Sequence, residues 1–404
     1  MKNKTLGSTL IVAGTTIGGG MLAMPLTSAG IGFGFTMILL VGLWLLLCFS
    51  ALLFVELYQN ADSDAGIGTL AEKYYGTFGR VISTAVLIVF LYAILSAYVS
   101  GGSSLLSAFL PTIVDEQTTV RVAGILFTLV FGAFIISGTT SVDAINRILF
   151  ATKILMFLAV LGLLLPKVSV ENLLEIPIDN FLLISASPIF FTAFGFHGSI
   201  PSLNKYLEGN VKALRISILA GTAIPLIAYI LWQLATHGVL NQTEFLQIIE
   251  KNPTLNGLAE AMGQATGSAV ISVAIRIFSA LALITSFLGV ALGLFEALED
   301  LFKRVNINAN RMTFGMLTFL PPMLFAFFYP QGFITALGYA GQMFAFYAIV
   351  LPIAMVYKMR RQLPNLPYRV KGGMLSLWGA LIIGILIVIV PFLVERGILP
   401  QVIG

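Results

Sequence analysis

The sequence predicts an all-α integral membrane protein of eleven transmembrane helices. Ten of them form a five-plus-five inverted repeat whose first and sixth members are broken. Three observations carry this reading. Of 404 residues, 58% are hydrophobic and only 10% charged, far from the roughly 25% charge of soluble domains. Eleven stretches reach the roughly 20 apolar residues that a helix needs to cross a bilayer. Two of them, five segments apart, are interrupted by Gly14-Thr15-Thr16-Ile17-Gly18-Gly19-Gly20-Met21 and by Phe194-Gly195-Phe196-His197-Gly198-Ser199.

Span 1, residues 5–29, is too long for a cleavable signal and is followed by further spans, so it is expected to stay in the mature protein. Its first half-helix is expected to end near Ala13 and Gly14, and the helix to resume at about Met21. That puts the N–H groups of Gly18, Gly19 and Gly20 at a helix N-terminus, where a carboxylate is favoured. Carbonyls left at the other end, with the Thr15 and Thr16 hydroxyls, would take the N–H bonds of an ammonium. One break thus suits both charged ends of an amino acid. Small residues also allow close helix packing, but three glycines in a row cost roughly 1 kcal/mol each, more than packing needs.

Span 2, residues 33–57, holds Cys48, the only cysteine, which excludes an intramolecular disulfide or a cysteine metal cluster. In span 3, residues 80–109, Tyr92 and Tyr98 are six positions apart and point about 240° from one another, so one of them, with Tyr98 the candidate, reaches the centre. Span 4 covers 121–139 and span 5 covers 148–166. Lys153 lies one to two turns inside span 5. Either it snorkels to the surface, or it points inward and its ammonium stands where a coupling cation would sit between spans 1, 5 and 8.

Span 6, residues 182–201, carries the second break. Phe194 and Phe196 can stack on an aromatic substrate ring or can simply pack. His197 is either a hydrogen-bond partner for a substrate hydroxyl or a neutral tie that holds the unwound segment together. Spans 7 to 10 cover 214–236, 268–296, 312–329 and 332–356. In span 8, Thr285 and Ser286 either bond back to their own helix or face the carbonyls near Gly14 and Ile17, as a cage for Na+ or as partners of Lys153. Arg276 has no evident carboxylate partner and either lines an outer vestibule or snorkels. Glu56, Glu296, Glu299 and Asp300 read as salt bridges or solvated caps at helix ends, beside Lys303 and Arg304.

Span 11, residues 374–394, falls outside the repeat and suits packing or an oligomer contact. The whole chain, 1–404, is one domain, with 5–166 and 182–356 as its two halves. The longest connections, 58–79 and 237–267, have room for small amphipathic helices. Five spans followed by five more set the second half upside down in the membrane, as in secondary transporters that bind solute at helix breaks near the midplane.

Orientation follows from basic residues, which are retained in the cytoplasm. With the N-terminus inside, that face receives Lys2 and Lys4, Lys73 and Arg80, Arg147 and Lys153, then Lys205, Lys212 and Arg215, then Lys303, Arg304 and Arg311. Lys358, Arg360, Arg361, Arg369 and Lys371 complete it. The other face receives only Arg121, Lys167, Lys251 and Arg396, and the C-terminus lies outside. The net charge of +4 reflects this bias and implies no nucleic-acid partner. No H-E-x-x-H, no nucleophile elbow and only two histidines, His197 and His237, argue against an enzyme and against a bound metal or cofactor. No ring-forming filter sequence supports a channel.

Four segments resemble the hydroxy and aromatic amino-acid permease family: Ala13 to Pro25, Phe194 to Ser202, Thr285 to Phe295 and Tyr368 to Gly373. The similarity covers essentially the whole chain. It implies a proton-driven symporter of the bacterial inner membrane that imports tyrosine and has the amino acid–polyamine–organocation fold. By the same resemblance, Gly14 to Gly20 is the substrate-carrying break, and Lys153 is the lysine that replaces a sodium ion in proton-coupled members. Thr285 and Ser286 match the hydroxyl pair that binds Na+ in sodium-coupled relatives. Na+-coupled or exchange transport of another aromatic or neutral amino acid is therefore the alternative.

Overall fold

The computed structural model describes residues 4–63 and 65–402, without the side chains of 139–145; Lys2, counted above by its charge, lies outside the described residues. Among these, every regular element is helical. Ten helices are long and apolar enough to cross a membrane, and a bent pair makes the eleventh. That pair, α1 (Lys4–Thr16) and α2 (Gly19–Ser28), turns by 49° across Ile17 and Gly18 and forms span 1.

Span 2 is α3 (Phe33–Tyr58), and span 3 is the long part of α4 (Ile67–Ser107), which kinks at Gly76, where φ is 64°. The residues before that kink form the short helix expected in the 58–79 connection. Spans 4 and 5 are α5 (Glu116–Ser137) and α6 (Thr139–Leu164), separated by Gly138 at φ 126°, and α7 (Val170–Leu173) is a single turn beyond them. Span 6 comprises α8 (Leu182–Ala193), the non-helical residues 194–196, a 3-10 turn His197–Ser199 and α9 (Ile200–Tyr206).

Span 7 is α10 (Val211–Val239). The connection after it carries α11 (Gln242–Lys251) and α12 (Leu255–Thr266), again as expected from its length. Spans 8 and 9 are α13 (Ala269–Arg304) and α14 (Arg311–Phe328). Span 10 joins α15 (Phe333–Ala345) through a π turn, Phe346–Val350, to α16 (Leu351–Gln362), and span 11 is α17 (Gly373–Glu395).

Short polar residues start several of these helices by accepting an otherwise unpaired N–H. Asp115 caps α5, Asn210 caps α10, Asn241 caps α11, Thr254 caps α12 and Asn310 caps α14. Ile38, Leu45, Leu129, Leu158, Ile227, Met316 and Ile382 are exposed on the flanks of the spans, as lipid contact requires. In the interior, α1 packs on α10, α2 on α8, and α13 on both α4 and α6. The two interrupted spans are thereby brought face to face inside a wall of α4, α6, α10 and α13.

The first break is shorter than the glycine pattern suggests. The first half runs on to Thr16 and the second begins at Gly19, so Gly14 and Gly20 are helical. Glycine lowers helix stability without forbidding it. What these glycines supply is room: a β-carbon on Gly14 would lie 3.4 Å from the Phe150 ring.

On the Lys- and Arg-rich face, the linker 363–372 straps three helices together. Arg360 of α16 makes two 2.7 Å bonds to the fully buried Glu56 carboxylate of α3, and the Val370 N–H adds a third at 2.9 Å. The Gln59 side chain donates to the Tyr368 carbonyl at 2.7 Å and accepts from the Tyr368 N–H at 2.9 Å. The Tyr368 ring lies 4.4 Å beneath the Arg215 guanidinium of α10.

Candidate functional site

The two breaks touch at Gly20 and Ala193: a β-carbon on Gly20 would stand 2.8 Å from the Ala193 Cα. Both first halves, α1 and α8, end here with carbonyls that lack an intrahelical donor. A single side chain serves both. The Tyr229 hydroxyl of α10 lies 2.7 Å from the Thr16 carbonyl oxygen and 2.7 Å from that of Ala193, donating one proton across the pair. The Phe194 ring packs edge-on against the Tyr229 ring, centroids 5.0 Å apart. Sequence reading missed Tyr229, because a lone tyrosine in an apolar span carries no local signal of its role.

Beyond the break, Gly18 and Gly19 are pressed against α13 and α4. The Gly19 N–H donates to the Ser286 hydroxyl at 3.1 Å. A β-carbon on Gly18 would sit 2.2 Å from that same oxygen, and one on Gly19 would sit 2.5 Å from the Tyr98 ring. Tyr98 therefore reaches the break, whereas the Tyr92 hydroxyl donates to the Leu317 carbonyl at 2.7 Å, away from it. The Thr15 and Thr16 hydroxyls turn their protons back on their own helix. They donate to the Ile11 and Val12 carbonyls, at 2.8 and 2.7 Å, which leaves only their lone pairs for an N–H donor. With α1 helical through Thr16, each hydroxyl finds a carbonyl one turn back, the commonest fate of a helical threonine.

Lys153 points inward. Its Nζ donates to the Ile17 carbonyl at 2.7 Å and to the Thr285 hydroxyl at 3.2 Å, and stands 4.6 Å from the centre of the Phe150 ring. Only 1% of the residue is exposed, and among the described residues no carboxylate pairs with it. Thr285 passes its own proton to the Ala282 carbonyl at 3.1 Å. Gly14 packs on the Phe150 ring, the same ring that the ammonium faces.

At the second break Phe194, Phe196 and His197 are all interior, which removes lipid contact as their explanation. The His197 Nε2 lies 2.8 Å from the Ser50 hydroxyl oxygen. Its ring meets those of Phe54, Phe196 and Phe344, at centroid distances of 6.0, 4.7 and 5.4 Å.

Arg276 has a partner after all: its guanidinium reaches Glu260 at 3.0 Å and Asn256 at 2.7 Å, both on α12. Asn256 also lines a cavity of about 1260 Å³, with Ser104, Glu116, Lys251, Thr335 and Glu395 among its walls, on the face opposite the strap. One position deeper than Gly332 of that lining, Phe333 and Leu283 pack over Gly101, and Leu283 in turn touches the site of a Gly19 β-carbon. Of the acidic residues at helix ends, Asp300 pairs with Arg304 at 2.6 Å, while the partner of Glu56 is Arg360 rather than its neighbours in span 8.

A sequence model described as the tryptophan/tyrosine permease family matches residues 1–391. The chain is 64% identical to the tyrosine-specific transport system 1 of Haemophilus influenzae, over the full length of both. It is 55% identical to system 2 of the same organism, again end to end. A tryptophan-specific transport protein from that organism is 33% identical, over 94% of each chain.

Proposed function

The chain belongs to the tryptophan/tyrosine permease family, and from that premise we propose that it imports L-tyrosine by proton symport across a bacterial inner membrane. It is a multi-pass membrane protein whose relatives are permeases and not enzymes. The tyrosine-specific names of the two relatives with 64% and 55% identity support the substrate. The observation that carries the mechanism is the meeting of two helix breaks at Gly20 and Ala193.

In this reading the chain has the amino acid–polyamine–organocation fold, with spans 1–5 and 6–10 as inverted halves that move about the breaks. The strap side faces the cytoplasm, as the basic residues direct, and the C-terminus faces the periplasm. Tyrosine enters through the cavity bordered by Ser104 and Thr335 and passes the Phe333, Leu283 and Tyr98 layer. It then settles against Gly18 to Gly20, with its carboxylate on the N-terminus of α2 and its ring among the side chains of spans 3, 6 and 10. For the carboxylate to take the Gly19 N–H, Ser286 must release it, so substrate binding and the α2–α13 contact are alternatives.

Lys153 couples the proton to that change. With its proton, the ammonium holds the Ile17 carbonyl and so one shape of the break; the amine form holds it more weakly. Proton occupancy then favours one state over another, which coupling requires. Thr285 and Ser286 are already engaged by Lys153 and by the Gly19 N–H. That engagement favours the lysine over Na+ as the resident cation.

The test is accumulation of labelled tyrosine in proteoliposomes given an inward proton gradient without sodium. Uphill uptake is expected. Uptake that requires Na+ rejects proton coupling and leaves the alternative.

A further inference from the structure

His197 holds a buried ring nitrogen that no other group among the described residues uses. Its Nε2 is tied to Ser50, while Nδ1 is fully buried and has no hydrogen-bond partner among the described residues. A buried polar atom left unpaired is costly, and native interiors rarely tolerate it without a reason. The tautomer turns on Ser50. When that hydroxyl donates to the Leu47 carbonyl, 3.3 Å away, it offers lone pairs towards His197 and Nε2 carries the ring proton. Nδ1 is then a bare lone pair.

The surroundings suit a ring with a polar tip. Phe54, Phe196 and Phe344 flank the imidazole, and Phe344 stacks on Phe90, centroids 5.3 Å apart. The neighbouring backbone leaves room at Gly198, where nothing lies within 4 Å of an added β-carbon, whereas one on Gly195 would stand 3.0 Å from the Thr192 carbonyl oxygen and 3.9 Å from the Phe344 ring. His197 stands four residues beyond Ala193, where the two breaks touch.

Resting on the reading of this site as an aromatic amino-acid site, we propose that His197 Nδ1 accepts the phenolic O–H of the substrate and is the residue that separates tyrosine from phenylalanine. Ser50 acts as a positioning residue, fixing the tautomer that presents the lone pair. Phenylalanine fills the same aromatic box but leaves the acceptor unpaired, and sites built around such a bond reject the analogue that lacks it.

The experiment is competition against labelled tyrosine uptake in proteoliposomes by tyrosine, 4-amino-L-phenylalanine, 4-fluoro-L-phenylalanine and phenylalanine. The first two can donate a hydrogen bond from the para position and the last two cannot. On the unaltered protein the donors should compete at least about ten-fold better. In His197→Phe that preference should shrink to within about three-fold, with phenylalanine competition retained. Ser50→Ala, a milder change, should cut the preference several-fold in the same direction. Equal competition by the amino and fluoro analogues on the unaltered protein overturns the assignment, and so does a full preference surviving in either variant. If no aromatic amino acid accumulates under any cation gradient, it is the transport reading that fails; accumulation without the para-donor ranking fails this assignment alone.

Discussion

Gly20 and Ala193 approach so closely that a single added β-carbon on the glycine would stand 2.8 Å from the alanine backbone. Backbone cannot swing aside as a side chain can, so Gly20→Ala must push the two broken spans apart. Its tyrosine uptake should fall at least ten-fold at equal protein in the vesicle. Gly42→Ala, in α3 with nothing within 4 Å, should retain uptake. Comparable uptake by the two variants would show that the contact has no part in transport.

Replacing Lys153 by Ala removes the ammonium at the break and leaves the Ile17 carbonyl without its 2.7 Å donor. Proton-driven accumulation should drop to equilibration, an inside-to-outside ratio near one, while tyrosine binding changes by about ten-fold or less. Flow measurements with and without a pH gradient check this. An undiminished response to the gradient would reduce Lys153 to a structural anchor.

Tyr229→Phe keeps the ring against Phe194 and deletes only the hydroxyl that serves Thr16 and Ala193. Two buried carbonyls lose their shared donor, a cost of about 1–3 kcal/mol. The detergent-solubilised variant should melt several degrees lower. Uptake should fall more than substrate binding does, since the hydroxyl ties the two half-helices together.

Glu56→Gln leaves Arg360 without its carboxylate, and breaking a buried ion pair from one side costs on the order of 3 kcal/mol. Replacing both Glu56 and Arg360 with Leu should recover part of that loss, because no uncompensated charge remains. Thermal melts of Glu56→Leu, Arg360→Leu and the double variant supply the comparison, and strictly additive losses would argue against direct coupling.

The eleven spans were legible because each is a continuous apolar run, and both interruptions were legible because glycine and polar residues cluster there. The limits of the first one were not. Gly14, Gly19 and Gly20 are helical because the Phe150, Tyr98 and Ala193 contacts reward close approach, a tertiary effect that composition does not carry. Pairings across long separations were hidden for a similar reason. Glu56 and Arg360 lie 304 positions apart, and Glu260, which answers Arg276, sits on a helix of the 237–267 connection whose docking on α13 no local pattern announces. The Thr15 and Thr16 hydroxyls follow the helix boundary: because α1 runs on to Thr16, their protons turn back on the Ile11 and Val12 carbonyls, and only their lone pairs remain for a donor.

Gln59 reading the Tyr368 backbone in both directions imitates one rung of a β-ladder. This makes the 363–372 linker a poor place for engineering despite its exposed sequence: a reporter or protease site inserted there would unseat α3, α10 and α16 together. The same attachment means that α17 is moored through its leading segment, so a fusion placed beyond Glu395 would leave the mooring untouched.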